Sequence, residues 1–361
     1  MNEQIQVVFM HLFQFLGGRI LKTGAAVLIT ALICEAFGWS PVFAVITAIV
    51  TIEPTAAASI KKGLIRFPAS AIGAAYAVLF TYLFGQGAIT FTLAAMLTIL
   101  TCSKLKLDAG LLVATLSAVA MIDVVDDHFI RTFFTRLGTT SIGLVVSTLV
   151  NLFIMPPDYS VEISKKVVLL QTRTARLLTD VVGGLLEEKD VKPLESAYQE
   201  DQRTFEKTET LCHFQRGEWR YRRFTREEMR KVHFDLKKLE TLRHIHFHLG
   251  NLIAIPSGPL TWKEQQKKLI LQSSLSLAAY IEDPDGKFDR TLHATMQPIM
   301  EQFWYAKANE EEEYGEMNRL FTIEISLLYE VLAIFELVEE LQAHSTFRQK
   351  QFSPPLFDYR Q

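Results

Sequence analysis

Between Phe67 and Ser103 the sequence carries no charged residue, and Gly85-Gln86-Gly87 divides this apolar run in two. A bilayer core is crossed by about 20 mostly apolar helical residues, so the two halves read as two membrane spans joined by a tight turn. In lipid the backbone has no water to bond, and an α-helix satisfies its own N–H and C=O groups. An all-α fold built around membrane-spanning helices is therefore the first expectation.

Four further apolar runs extend it. Arg19 and Lys22 open one from Ile20 to Phe37; Gly38-Trp39-Ser40-Pro41 makes a turn into a second, which reaches Ile52. Another covers Ala109 to Ile122, and a last one runs from Leu137 to Met155 before Pro156-Pro157 stops it. The predicted transmembrane domain is 1–157, with spans at about 20–37, 41–53, 67–84, 88–103, 109–123 and 137–155. By length the third, fourth and sixth suffice alone, while the second and fifth are short. Met1 to Gly18 is apolar but interrupted by Glu3, Gln4, Gln6, His11 and Gln14, and it lacks the basic start and cleavage site of a signal peptide. It reads as a helix lying at the membrane surface, or else as an extension of the following helix.

Charge divides the chain into two physically different parts. Positions 1–155 hold 9 Lys/Arg and 7 Asp/Glu, against 28 and 33 in the rest. Residues 158–361 are thus expected to form a separate, cytoplasmic helical domain. The near-neutral balance excludes nucleic-acid binding, which needs a concentrated basic excess. The three cysteines, Cys34, Cys102 and Cys212, are widely spaced and read as buried apolar residues, with no disulfide framework or zinc site.

A shift of seventy positions reveals an internal echo. It places Glu53 over Asp123, Lys61 over Arg131, Arg66 over Arg136, Gly73 over Gly143 and Thr47 over Ser117. Each half shows an apolar segment, a carboxylate, a short cationic linker, an arginine and a glycine inside the next apolar segment. With an inside amino terminus, the inner connections carry Arg19, Lys22, Lys61, Lys62, Arg66, Lys104 and Lys106, while the outer ones carry Arg131 and Arg136 diluted by Asp123, Asp126 and Asp127. This is the positive-inside pattern, and it puts both termini in the cytoplasm of a multi-pass cell-membrane protein. Three spans per half is an odd number, so the expected six-helix transmembrane bundle consists of two inverted three-helix repeats.

Inversion would bring a carboxylate and a guanidinium from each half toward one path. Ionisable groups at membrane depth are costly and usually face a cavity. Arginine keeps its charge there and grips a carboxylate through two hydrogen bonds. Arg66, Arg136, Lys62 and Lys61 are therefore the candidate substrate-binding residues for a small organic anion. Glu53 and Asp123 are the proton-coupling candidates; burial favours the protonated form of such a group and a neighbouring arginine the ionised form. The alternative is that these cations only set topology and that the carboxylates lie at the interfaces or pair with those cations. Asp126, Asp127 and His128 read as a solvated outer loop.

The carboxy-terminal part reads as a helical bundle. Val161, Val167, Val168, Leu169, Leu170, Leu177, Leu178, Val181 and Val182 form a stripe at helical spacing. Pro193 opens a long polar helix, and Ile255-Pro256-Ser257-Gly258-Pro259 and Asp283-Pro284-Asp285-Gly286 are breaks. Final helices are expected at about His293 to Ala308 and Met317 to Gln342. Arg216 to Lys231 interleaves Arg216, Arg220, Arg222, Arg223, Arg226 and Arg230 with Trp219, Tyr221 and Phe224. It would touch anionic headgroups, or else form a solvated face paired with Glu218, Glu227, Glu228 or Glu310 to Glu313. His244, His246 and His248 alternate, a strand spacing; on a helix only the outer two share a face, so packed or hydrogen-bonded histidines are favoured over a metal site. No nucleophile elbow, phosphate-binding glycine loop or catalytic carboxylate pair is visible, which points away from an enzyme and from any cofactor.

Gly18-Arg19-Ile20-Leu21-Lys22-Thr23-Gly24, the Trp39-Ser40-Pro41 turn, Glu53-Pro54-Thr55 and the stretch from Lys62-Gly63-Leu64-Ile65-Arg66 to Ile72-Gly73 resemble the aromatic acid exporter superfamily in their joint spacing. That superfamily includes fusaric acid resistance proteins and the plant aluminium-activated malate channels. The layout is similar, over nearly all 361 residues, to a Gram-positive subgroup with six spans and a helical carboxy-terminal domain. The resemblance implies a homodimeric exporter of aromatic or other organic carboxylates, with Lys62, Arg66 and Arg136 near the anion path. Glu53 stands where many members carry glutamine. With no nucleotide motif, uphill transport would draw on an ion gradient. A passive organic-anion channel is the second reading, and a membrane-anchored scaffold or sensor acting through the helical domain is the third.

Overall fold

The computed structural model describes residues 2–123, 129–154, 158–219, 221, 224–256, 258–283, 291–314 and 322–352. The chain forms two compact units, Met1–Asp158 with Phe214–Arg223, and Tyr159–His213 with Phe224–Gln361. Sequence reasoning placed a single boundary at 157; the first unit also contains the short return at Phe214–Arg223. Helix is the only regular secondary structure among the described residues.

The first unit contains α1 (Asn2–Ala36), α2 (Val42–Thr51), α3 (Ala56–Phe84), α4 (Ala88–Lys104), α5 (Leu111–Ile122, after a 3₁₀ turn at Asp108–Gly110) and α6 (Phe129–Phe153). α1 is continuous, so the amino-terminal segment extends the first apolar run and is not a separate surface helix. The supposed cationic linkers are helical as well. Thr55 accepts a hydrogen bond from the Ala58 N–H (3.0 Å) and starts α3 in the alanines, so Lys61, Lys62 and Arg66 lie inside the helix. Arg131 and Arg136 likewise lie within α6. α3 and α6 are long and apolar enough to cross a membrane, whereas α2, α4 and residues 108–122 are apolar but shorter. α4, with 17 residues, thus falls short of the full span expected of it.

α3 packs on α4, α5 and α6, and α6 packs in addition on α1 and α2. Small residues permit these close approaches. A Cβ on Gly73 would overlap the Ala114 carbonyl of α5, and one on Gly143 would overlap the Ala44 carbonyl of α2. Large side chains such as Leu28, Leu64, Leu83, Ile130 and Phe134 are exposed on this unit. An exposed apolar surface of that kind calls for a covering medium or partner.

The second unit holds α7 (Ser160–Leu186), most of α8 (Glu195–Glu218), α9 (Arg226–Ala254), α10 (Glu264–Glu282), α11 (Thr291–Tyr314) and α12 (Ile323–Phe352). Its core is made of large aliphatics, among them Ile163, Leu170, Leu178, Leu242, Leu249, Ile270, Leu277 and Leu328, shared by α7, α9, α10 and α12. Thr225 and Glu228 form a reciprocal capping box that starts α9 within the arginine-rich stretch. α9 ends at Ala254, immediately before the predicted break, and α10 ends at Glu282. The last two helices run longer than expected. Asp126, Asp127 and His128, Pro156-Pro157, Arg220, Arg222, Arg223, Ser257, Pro284, Asp285 and Gly286, and the side chains of Glu310 to Glu313, lie outside the described residues.

The three alternating histidines of α9 meet three different surroundings. His244 is exposed, His246 is buried and stacked on Tyr198 with ring centroids 4.1 Å apart, and His248 Nδ1 lies 2.6 Å from Glu330 Oε2. Burial pushes the His246 imidazole down to about 4.

Candidate functional site

The strongest chemical feature lies in the first unit, at the α2–α6 side. Arg136, in the second turn of α6, is 6% exposed. Its Nη2 donates to Ser117 Oγ (2.5 Å), and its guanidinium lies 3.8 Å from the centroid of the Phe43 ring. Its Nε and Nη1 are buried and have no hydrogen-bond partner among the described residues. Among the described residues no carboxylate pairs with it. A buried donor left unmade costs roughly 1–3 kcal/mol, and more when charged, so this arrangement needs a compensating ligand or a function.

Arg136 opens onto a cavity of about 410 Å³. Trp39 and Phe43 line it as aromatic walls, Thr135 and Thr139 add hydroxyls, and exposed Arg131 adds a second cation. The Trp39 ring fits closely over α6 because residue 138 is glycine; a Cβ there would lie 2.6 Å from the indole. The volume falls in the range of small-molecule sites, roughly 300–1,000 Å³. A fixed positive charge beside a cavity lined by aromatic rings suits a planar group that carries a carboxylate.

From Arg136 a chain of hydroxyls leads into the helix packing. Ser117 Oγ lies 2.9 Å from Ser70 Oγ, which in turn is 3.4 Å from Thr140 Oγ1. All three residues are buried.

Arg66 has a different environment. Its Nη2 donates to Glu53 Oε1 (2.6 Å) and its Nε donates to the Ala109 carbonyl (3.1 Å). Lys62 Nζ donates to the other carboxylate oxygen, Glu53 Oε2, at 2.8 Å. Behind this pair, Asn151 Nδ2 donates to the Glu53 carbonyl (3.0 Å) and to Ser59 Oγ (2.9 Å), and Asn151 Oδ1 accepts from Lys22 Nζ (3.0 Å). Glu53 thus ties α3 to α6 and α1 through one polar network.

The structure therefore gathers Glu53, Lys62 and Arg66 in one cluster and places Arg136 in a separate cavity. Lys61 is exposed on α3, and Asp123 is exposed at the end of α5 with no ion pair among the described residues. Sequence reasoning singled out the arginines but missed Phe43, Ser70, Asn151 and the structural part of Lys22. Ser117 and Trp39 enter the sequence reading only as the counterpart of Thr47 and as part of a turn. A hydroxyl or amide inside an apolar run was the available signal, because such groups are expensive in lipid unless they find partners.

Comparison with known proteins identifies the relatives. The pattern of the family described as Aromatic acid exporter family member 1 matches residues 14–154. A UPF0421 protein of Bacillus cereus is 40% identical over 338 residues, covering 91% of this chain and 94% of its own. One of Oceanobacillus iheyensis is 42% identical over 335 residues, with 92% and 96% covered, and one of Staphylococcus haemolyticus is 34% identical over 329 residues, with 90% and 96% covered. The matches come from Gram-positive bacteria and extend through the carboxy-terminal unit, which the exporter pattern does not reach. This chain belongs to the UPF0421 family, and its residues 14–154 are similar to the aromatic acid exporter family.

Proposed function

We propose that this protein is a multi-pass cell-membrane transporter of organic carboxylates, and that Arg136 binds the carboxylate in the Trp39–Phe43 cavity. The observation that carries this reading is an arginine only 6% exposed, with two guanidinium nitrogens unpartnered among the described residues, lining a ligand-sized cavity together with Trp39 and Phe43. Ion gradients supply the driving force for export, and both termini lie in the cytoplasm.

Correspondence between the halves supports a six-helix bundle of two inverted repeats. Seven buried residues of α3, Arg66, Ala69, Ser70, Gly73, Ala74, Ala77 and Phe80, map at a shift of seventy onto Arg136, Thr139, Thr140, Gly143, Leu144, Ser147 and Val150 of α6, and every one of these is buried too. In the same way Ala44, Thr47, Ala48 and Thr51 of α2 map onto Ala114, Ser117, Ala118 and Met121 of α5. Gly73 against Ala114 and Gly143 against Ala44 are one contact repeated under that shift. Exchanging α1–α3 with α4–α6 also maps the α2–α6 packing onto α5–α3.

The test is flux in proteoliposomes containing the full chain. Mandelate serves as an aromatic carboxylate, succinate as an aliphatic one and choline as a cation control. Expected are saturable mandelate accumulation under an imposed pH gradient and a loss of at least about 100-fold with Arg136→Gln, the scale of one removed charged contact. Current without accumulation would replace the exporter by a channel. Absence of both from well-inserted wild-type protein would overturn the transport reading.

A further inference from the structure

Residues Phe214–Arg223 belong to the first unit, and their contact with it is made through a carboxylate. Glu218, the last residue of α8, is 1% exposed, and its Oε1 accepts a hydrogen bond from the Ala56 N–H at 2.6 Å. Ala56 is the first residue of α3, directly after Glu53-Pro54-Thr55. Gln215, one turn earlier, is fully buried, and Gly217 faces Ala57, while Arg216 points to solvent. One face of this turn is thus inserted, with its acid at the tip.

The place it enters is positively charged. Lys22 is 7% exposed, bonds Asn151 and attracts Glu218. Lys62 and Arg66 share the single carboxylate of Glu53. The amino end of α3 adds its backbone donors and the positive pole of its dipole. Thr55 already caps this helix through Ala58, so Glu218 is a second, separate anion at the same end. A buried carboxylate is held only where positive charge compensates it, and the same surroundings would hold the carboxylate of a small organic anion.

We propose that Glu218 is a tethered carboxylate which occupies the anion-attracting end of the membrane unit and competes there with the transported anion. This rests on the transport reading above. Release of the Phe214–Trp219 turn would expose Lys22 and the Ala56 N–H to substrate. The contact is then an autoinhibitory one, and free carboxylate relieves it by mass action.

Glu218→Gln separates charge from capping, because its amide oxygen still accepts from Ala56 while the competing charge is gone. In full-length protein in proteoliposomes, Glu218→Gln should lower the apparent KM for mandelate by roughly three- to tenfold, as removal of an internal competitor does. Exposed Glu227→Gln should leave it unchanged. As a readout independent of transport, Gly217→Cys in a background with Cys34, Cys102 and Cys212 replaced by alanine places a Cβ in ordinary contact with Ala57, 3.6 Å from the Ala57 Cβ, and with it a thiol at this turn. Mandelate should accelerate maleimide labelling of that thiol, and choline should not. An active wild type whose KM is unchanged or raised by Glu218→Gln, or labelling indifferent to mandelate, would overturn the proposal alone; an inert wild type would overturn the transport reading.

Discussion

Arg66 and Arg136 stand at corresponding positions of α3 and α6, and they are buried to nearly the same degree, 7% and 6% exposed. They differ in what meets the charge. Arg66 has Glu53, which Lys62 also engages, whereas Arg136 has a serine hydroxyl and the face of Phe43. A pair of opposite charges in a helix bundle holds elements together. An uncompensated charge beside a cavity leaves its binding capacity for something else. At corresponding positions, one arginine is therefore neutralised by a carboxylate and the other borders a cavity without one.

The largest test of this contrast removes the lock. Glu53→Gln leaves Arg66, with an 8% exposed side chain, without its counter-charge, and loss of one partner from a buried pair costs about 3–5 kcal/mol. Thermal unfolding of the detergent-solubilised protein should show a Tm drop, and Glu53→Gln combined with Arg66→Met should recover most of it. An unchanged Tm in the single variant would mean that the pair contributes nothing and that the two arginines are equivalent after all.

A second test uses the other unit, where α9 repeats the contrast with histidines. His248 meets Glu330, while His246 is buried against Tyr198 and, unlike an arginine, avoids the cost by staying neutral. With burial holding it at about 4, the folded chain refuses a proton that the unfolded chain takes up near pH 6.5. Stability is therefore complete above about pH 6.5 and declines as pH falls toward 4, by on the order of 3 kcal/mol. Chemical denaturation followed between pH 7 and 4 should show this slope, and His246→Phe, which keeps the stack, should flatten it. An equal slope in both proteins would assign the acid sensitivity to other groups.

How much of this the sequence carried depends on the range of the interaction. The turns at Gly38-Trp39-Ser40-Pro41 and Gly85-Gln86-Gly87 were legible because they are local; Gly38 and Gly85 take φ of 67° and 69°, which glycine adopts freely. The Glu53–Arg66 proximity was half legible, since thirteen residues along a chain entering a helix keep the two near each other. The meeting of Phe43 and Arg136 was not, because α2 and α6 are joined only through the packing of the whole unit. The start of α3 was misread for a simpler reason. Lysine and arginine look like a connection in an apolar sequence, yet their long stems let a helix continue while the heads reach polar partners.

A third test asks whether the halves are equal in packing even though they differ in charge. Gly73→Ala and Gly143→Ala each force a methyl into a neighbouring carbonyl, and overpacking of this kind costs about 2 kcal/mol. Similar Tm losses would show that the scaffold is the same in both halves and that the asymmetry resides in the ionic groups. A loss confined to one glycine would break the correspondence on which the repeat rests.

The smallest effect has the opposite sign. Arg136→Met removes a charge whose burial is compensated only by Ser117 and by Phe43, the latter on the order of 2 kcal/mol in a dry site. The desolvation of a cation amounts to several kcal/mol, so replacing it with an apolar side chain of similar length should raise stability by about 1 kcal/mol. Flux should vanish in the same variant. A rise in Tm joined to loss of transport is the mark of a residue kept for binding at the expense of the fold. Should Arg136→Met instead lower the Tm as far as Glu53→Gln does, the guanidinium would be a structural group, and the two arginines would have the same role.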